Sequence, residues 1–239
     1  RSPVVTASTG TALTVIKGIC EKRKSSLRIV TNNDFIIKES SKISQTILYH
    51  GSFDDYIVST HQLGSFQAIN ISVCIATIEI LQQQGVFITK ESILNGINEM
   101  NHPGRMQILQ QNPLFIVDGA HNPEGMKQAV RSIQDYFIFD RLIVLFGVMK
   151  DKAIKNMLKE IIEFTDVFII TRPNLDRSED TKKIMKLIKE LDSSKQIIET
   201  RTVQEAYEKA MTIANQHNLI FATGSLFTVG EILRIYQTN

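Results

Sequence analysis

The chain has 239 residues, 43% of them hydrophobic and 22% charged, with a formal net charge of +2. That length supports one large or two modest globular cores, and so small a net charge offers no concentrated basic face of the kind nucleic acid requires. No run approaches the roughly 18 uninterrupted apolar residues of a membrane span, so neither nucleic acid nor membrane is an expected partner. The opening RSPVVTAS has no initiator Met and already reads as a strand over 3–7, which predicts a piece of a longer polypeptide. From Ala12, ALTVIKGICEKRK spaces its apolar residues at helical period and ends in basic residues, as a helix C-terminus prefers. LRIV (27–30), FIIKE (35–39), SQTILYH (44–50) and DYIVST (55–60) are short β-branched runs between polar turns, the pattern of strands and hairpins. FQAINISVCIATIEILQQ, within 65–83, is apolar on nearly every side and predicts a deeply packed helix. TKESILNGINEM (89–100) follows, with Thr89 as its N-cap. Cys20 and Cys74 lie far apart among apolar residues and are expected to be buried reduced thiols, in keeping with the cytoplasm.

After His102 the pattern changes. LFIVD, RLIVLFGV, DVFIITRP, KQIIET and NLIFATG alternate with five amphipathic helices. Met126, Val130, Ile133 and Phe137 line the first; Ile154, Met157, Leu158 and Ile161 the second; Ile184, Leu187, Ile188 and Leu191 the third. The fourth opens with Thr202 and Glu205 at capping-box spacing, and the last carries Val229, Ile232, Leu233 and Tyr236. Such alternation with near-continuous apolar strands means a mostly parallel sheet covered on both faces. The loop MNHPGRMQI around Pro103-Gly104 is the predicted boundary, giving domains over 1–101 and 102–239.

Within NPLFIVDGAHNPEG (112–125), an apolar run stops abruptly at Asp118, Gly119 allows close approach, and Asn122-Pro123 supply an N-cap and a preset first turn. Ligands of parallel α/β sheets collect at the carboxyl ends of strands, so Asp118 and His121 are candidates rather than idle loop residues. Arg105, in a Pro-Gly-Arg turn just before the same strand, carries the planar fork that suits phosphate. Ser225 follows the last strand as its helix begins, where a hydroxyl and helix-start amides suit a carboxylate or phosphate. Together these residues predict a site for an anionic ligand. His50, His61 and His217 stand singly, without paired metal spacing. KKIMKLIKELDSSK (182–195) reads as a solvated helix face. The loop with Arg172 and Arg177 is left open.

DGAHNP (118–123), PGR (103–105), LFGVMKDK (145–152) and TGSL (223–226) occur in the order and spacing of a known group. Together they resemble folylpolyglutamate synthase, often bifunctional with dihydrofolate synthase, of the Mur ligase superfamily. LGSFQAINISVCIATIEIL (63–81) resembles the L-G-x-H-Q-x-x-N helix of that family's central ATP-binding domain. The resemblance implies an α/β chain: the tail of a central ATPase-type domain, followed by a Rossmann-like, mostly parallel sheet domain with helices on both faces that binds glutamate. It implies an ATP-dependent ligase of folate biosynthesis and one-carbon metabolism, cytoplasmic and monomeric, acting on ATP, L-glutamate and folate or dihydropteroate with Mg²⁺. ATP would phosphorylate a folate carboxylate, and the amine of glutamate would attack the acyl phosphate. Asn70 is implied near adenine, Arg105 on the ATP phosphates and Asp118 on the ribose hydroxyls. His121 and Ser225 are implied as the catalytic pair, donating hydrogen bonds where acyl phosphate meets glutamate, with Lys150 a weaker candidate. These roles suit the groups, since an amide matches adenine's mixed edge and a carboxylate accepts from a diol.

Two positions depart from the family pattern: Phe66 replaces its His, and His102 stands where it commonly has Trp. No G-x-x-x-x-G-K-[ST] loop occurs in the chain. In the family that loop, a carbamylated lysine and the metal ligands lie upstream. The chain is therefore expected to begin just after that lysine, to hold no metal ligands and to be inactive alone. A dehydrogenase-type nucleotide domain is disfavoured because no G-x-G-x-x-G follows a strand. A Mur-type ligase for cell-wall precursors and a non-catalytic nucleotide-binding module of the same fold are the alternatives.

Overall fold

The structure, a computed structural model, describes residues 2–238. The chain divides into two compact units, one running to Asn101 and the other starting at His102.

In the first unit, β1 (Val4–Thr6) pairs in parallel with β2 (Leu27–Ile29), and α1 (Gly10–Arg23) makes the crossover. β3 (Phe35–Ser40), β4 (Gln45–His50) and β5 (Asp55–Thr60) then form an antiparallel meander. Burial alternates along β4 and β5, so every second side chain faces the helices. That face packs Ile47, Tyr49, Tyr56 and Val58 against Ala68, Ile71 and Ile75 of α2 (Ser65–Gln83), with Ile93 and Ile97 of α3 (Lys90–Asn98). Thr89 caps α3 by accepting from the Ser92 N–H at 3.1 Å.

Two expectations fail on α2. It is covered along one stripe only, because a helix laid on a single sheet layer buries one face. Cys74 lies on the other side and is exposed, whereas Cys20 is buried. By length and composition alone α2 is apolar enough to cross a membrane. Its buried stripe nevertheless carries Gln67, Ser72 and Glu79. The Glu79 carboxylate accepts from the Ser52 N–H (2.9 Å), the Phe53 N–H (3.0 Å) and the Tyr56 hydroxyl (3.3 Å), pinning the β4–β5 turn. Burial first, then the adjacent Glu79 charge, pushes the Tyr56 hydroxyl up to about 12.

The second unit is a six-stranded sheet in the order β10-β9-β8-β11-β7-β6. β7 (Leu114–Val117), β8 (Arg141–Phe146), β9 (Val167–Ile170), β10 (Gln196–Glu199) and β11 (Asn218–Thr223) are parallel, and β6 (Gln107–Gln111) runs antiparallel beside β7. α4 (Pro123–Tyr136), α5 (Ile154–Ile161) and α6 (Thr181–Leu191) pack in succession, and α7 (Val203–Ile213) lies against α8 (Leu226–Thr238). One face of the sheet places Phe115, Val117, Ile143, Leu145, Ile169 and Ile220 against Val203, Ala206, Val229 and Ile232 of α7 and α8. β9 and β11 are buried along their whole length and β8 from Leu142 onward, as a sheet covered on both faces requires.

β6 departs from the sequence pattern: it takes in Gln107 and Ile108, the end of the expected loop MNHPGRMQI, and continues to Gln111. QILQQ is polar and only partly buried, so its hydrophobic period is faint. Its direction matters for the site: because β6 is antiparallel, its start lies at the edge where β7, β8 and β11 end.

Candidate functional site

Backbone hydrogen bonds knit these strand ends together. The Asp118 N–H donates to Ala222 O (3.0 Å), the Gly224 N–H to Ala120 O (3.1 Å) and the Gly147 N–H to Thr223 O (3.3 Å). The Pro-Gly-Arg turn joins them, with the Gly119 N–H donating to Gly104 O (2.8 Å). Gly104 (φ 74°) and Met106 (φ 41°) both occupy the left-handed region, which for Met106 is a conformation of a few per cent of such residues. The compensation is visible: the Met106 N–H donates to Asp118 Oδ2 at 2.9 Å.

Asp118 is 3% exposed. Its other oxygen, Oδ1, accepts from the Ala120 N–H at 2.8 Å. Burial pushes its carboxyl above the ordinary range, against the opposing pull of these two N–H groups and of the nearby Arg105 and His121. Each oxygen keeps lone-pair capacity after its backbone bond.

His121 is partly buried, and its Nδ1 lies 2.9 Å from Gly119 O. Since a carbonyl only accepts, Nδ1 carries the hydrogen, and Nε2 is the nitrogen available to a ligand. Asn122 caps α4 by accepting from the Gly125 N–H at 2.7 Å, with Pro123 at the first helical position.

His121 and Ser225 line one cavity of about 140 Å³. Its wall also holds Lys152 and Arg177, with Leu226 and Phe227 from the start of α8. The Arg177 guanidinium stands 4.7 Å from the Phe227 ring centroid, a cation–π contact that fixes one wall. Ser225 is buried and caps α8. Its Oγ accepts from the Thr228 N–H (3.0 Å) and lies 2.8 Å from Thr228 Oγ1, which in turn donates to Gly147 O (2.8 Å). The Thr228 hydrogen is thus spent on the carbonyl, so Ser225 donates its own to Thr228. One lone pair remains for a ligand.

The remaining candidates sit elsewhere. Lys150 is exposed, and its Nζ donates to Asp176 O at 2.9 Å. The basic group that the MKDK loop turns into the cavity is Lys152. No sequence signal separates these two lysines. Arg177, left open by the sequence, is in the cavity, and Arg172 is not. Asn70 belongs to the first unit, exposed on α2, with its Nδ2 donating to Gln67 Oε1 at 3.1 Å. Among the described residues no group of three or more His, Cys, Asp or Glu side chains is placed to hold a metal ion.

A mostly parallel α/β sheet with an arginine turn, a buried carboxylate and an imidazole gathered at its carboxyl edge defines a Rossmann-like ligand-binding domain. The chain belongs to the Mur ligase family: residues 104–226, just over half of it, match the family described as "Mur ligase, glutamate ligase domain". A Halobacterium salinarum protein described as "Probable bifunctional folylpolyglutamate synthase/dihydropteroate synthase" is 31% identical over 180 residues, which are 74% of this chain and 21% of that protein. A dihydrofolate synthase/folylpolyglutamate synthase of Bacillus subtilis is 24% identical over 179 residues, 73% of this chain and 40% of the relative. The fold matches that of Mycobacterium tuberculosis folylpolyglutamate synthase complexed with ADP, with a TM-score of 0.88 at 18% identity, covering 97% of this chain and 54% of that one. The chain therefore spans about half, or less, of the length of these proteins.

Proposed function

We propose that this chain forms part of an ATP-dependent ligase that adds L-glutamate to folate or dihydropteroate. The observation that carries the reading is the gathering of Arg105, Asp118 and His121 at one sheet edge, with His121 sharing a cavity with Ser225, Lys152 and Arg177. The names of the relatives point the same way. In such a reaction an acceptor carboxylate oxygen attacks the γ-phosphorus of ATP and the bond to ADP breaks. The glutamate nitrogen then attacks the acyl carbon, phosphate leaves with the C–O oxygen, and the nitrogen gives up its proton to form the amide.

This chain's share is positioning and charge stabilisation rather than a nucleophile. Arg105 would hold phosphate oxygens in its fork. Asp118 would accept from ribose hydroxyls with the lone pairs its backbone partners leave free. His121 Nε2, when protonated, would donate to an anionic oxygen of the acyl phosphate or glutamate. Ser225 would act chiefly as a positioning residue, holding the start of α8 at the cavity, with one lone pair toward the ligand. Lys152 and Arg177 add positive charge suited to glutamate's carboxylates. Asn70, in the first unit, carries an amide whose donor and acceptor suit the adenine edge. Mg²⁺ normally accompanies ATP, and the described residues offer no cluster of three or more His, Cys, Asp or Glu side chains for it.

The test uses the full-length protein with ATP, glutamate and either folate or a cell-wall peptide precursor. Arg105→Ala and Asp118→Ala should each lower kcat/KM for ATP by about a hundred-fold. Ser225→Ala should mainly raise the KM for glutamate. Unchanged kinetics in all three would overturn the site, and turnover with the cell-wall precursor alone would overturn the folate assignment.

A further inference from the structure

The loop over 171–178 has two sides. Arg177 faces the His121 cavity, whereas Arg172 lines a separate open groove of about 660 Å³ on the other side. Arg201, in the turn before α7, and Arg234, on α8, line the same groove. We propose that this groove is a second anion site, for a small molecule carrying at least two carboxylate or phosphate groups.

The three arginines come from three different elements, are exposed, and line one concavity. Among the described residues none of them has a hydrogen bond or ion pair with another side chain. Elsewhere in the chain, basic side chains such as Lys155, Lys183 and Lys195 do find carboxylates. Unpaired like charges around one space repel, and multidentate anions relieve that repulsion through the bidentate geometry guanidinium favours. The groove has two acids of its own, Asp176 and Glu231. Glu231 is engaged, its Oε1 accepting from the Asn174 N–H at 2.8 Å. With those carboxylates in the wall, a single negative charge gains little. A ligand must reach more than one arginine to bind.

The walls are built rather than loose. The Thr171 N–H donates to Phe146 O (3.0 Å), the Ser178 hydroxyl to Pro173 O (2.8 Å) and the Glu179 N–H to Val148 O (2.9 Å). On the facing side Thr202 caps α7, accepting from the Glu205 N–H at 3.1 Å. A preformed wall spares a ligand the cost of ordering it.

The site is independent of the reaction proposed above, and calorimetry on the 239-residue chain tests it. The probes are γ-linked triglutamate, tripolyphosphate and acetate, each in low and physiological salt. One polyanion should bind saturably at one per chain and more weakly in salt, while acetate should not bind. Whether triglutamate or tripolyphosphate binds tells carboxylate from phosphate. Arg201→Ala and Arg234→Ala should each weaken binding about ten-fold, the loss of one charge-assisted contact. Arg201→Lys should fall between, and His121→Ala should leave binding unchanged. The proposal is overturned if neither polyanion saturates the wild-type chain, if the arginine variants bind as well as wild type, or if His121→Ala abolishes binding.

Discussion

Asp118 joins two roles in one side chain. Its carboxylate ends β7, and its oxygens accept from the Met106 and Ala120 N–H groups, holding the strained turn beside Arg105. Removing it orphans two buried donors, at about 1–3 kcal/mol for each. Asp118→Ala is therefore expected to destabilise the chain in urea denaturation. The pH dependence has a definite sign. Burial raises the folded-state carboxyl above its unfolded value, so the native state binds the extra proton between those two values. Stability from this group is full below the unfolded pKa and declines as pH rises toward the folded one. The gap between wild type and Asp118→Ala should then be widest near pH 3.5, below the ordinary aspartate value of about 3.9, and narrow at higher pH. A gap that widens steadily with pH would contradict that picture. The residue scale also shows what spacing hides. Lys150 and Lys152 are equivalent in the sequence pattern, and only the path of the loop after β8 turns one to the cavity.

At the scale of elements, the site depends on how strands end. Gly224 sits between β11 and α8 at φ 102°, a conformation other residues rarely adopt. A Cβ there would lie 2.6 Å from Gly147 O and 3.0 Å from the Phe146 ring. Backbone cannot yield as a side-chain tip can, so strain and overlap add. Gly224→Ala should cost roughly 2–4 kcal/mol, read as a lowered thermal midpoint, and should distort the Ser225 cap that follows. A fully stable Gly224→Ala variant would show that this junction relaxes freely. The capping signals were legible beforehand: Thr89, Asn122 and Thr202 each accept the N–H expected of an N-cap. β6 was not legible, because a half-exposed edge strand lacks the apolar run that marks its buried neighbours.

For the whole molecule, the relevant fact is extent. The chain covers 54% of the structure it matches and 40% of its Bacillus subtilis relative, and its sequence contains no G-x-x-x-x-G-K-[ST] loop. Phosphoryl transfer needs the triphosphate held from several directions at once. With ATP, folate and glutamate, the 239-residue chain alone is expected to release no ADP above background in a coupled steady-state assay. Turnover at ordinary enzymatic rates would mean that the chain carries a complete site.

The sequence by itself determined the alternation of strands and helices in the second half, the helix caps and the motif set from Arg105 to Ser225. These are local patterns, written in hydrophobic period and turn chemistry. Strand order belonged to the tertiary structure. It inserted β11 between β8 and β7 and turned β6 back along β7, bringing segments more than a hundred residues apart to one edge. It also left one side of α2 and Cys74 uncovered and set Arg172, Arg201 and Arg234 around one groove. Such outcomes depend on which surfaces cover one another, and no window of neighbouring residues contains that information.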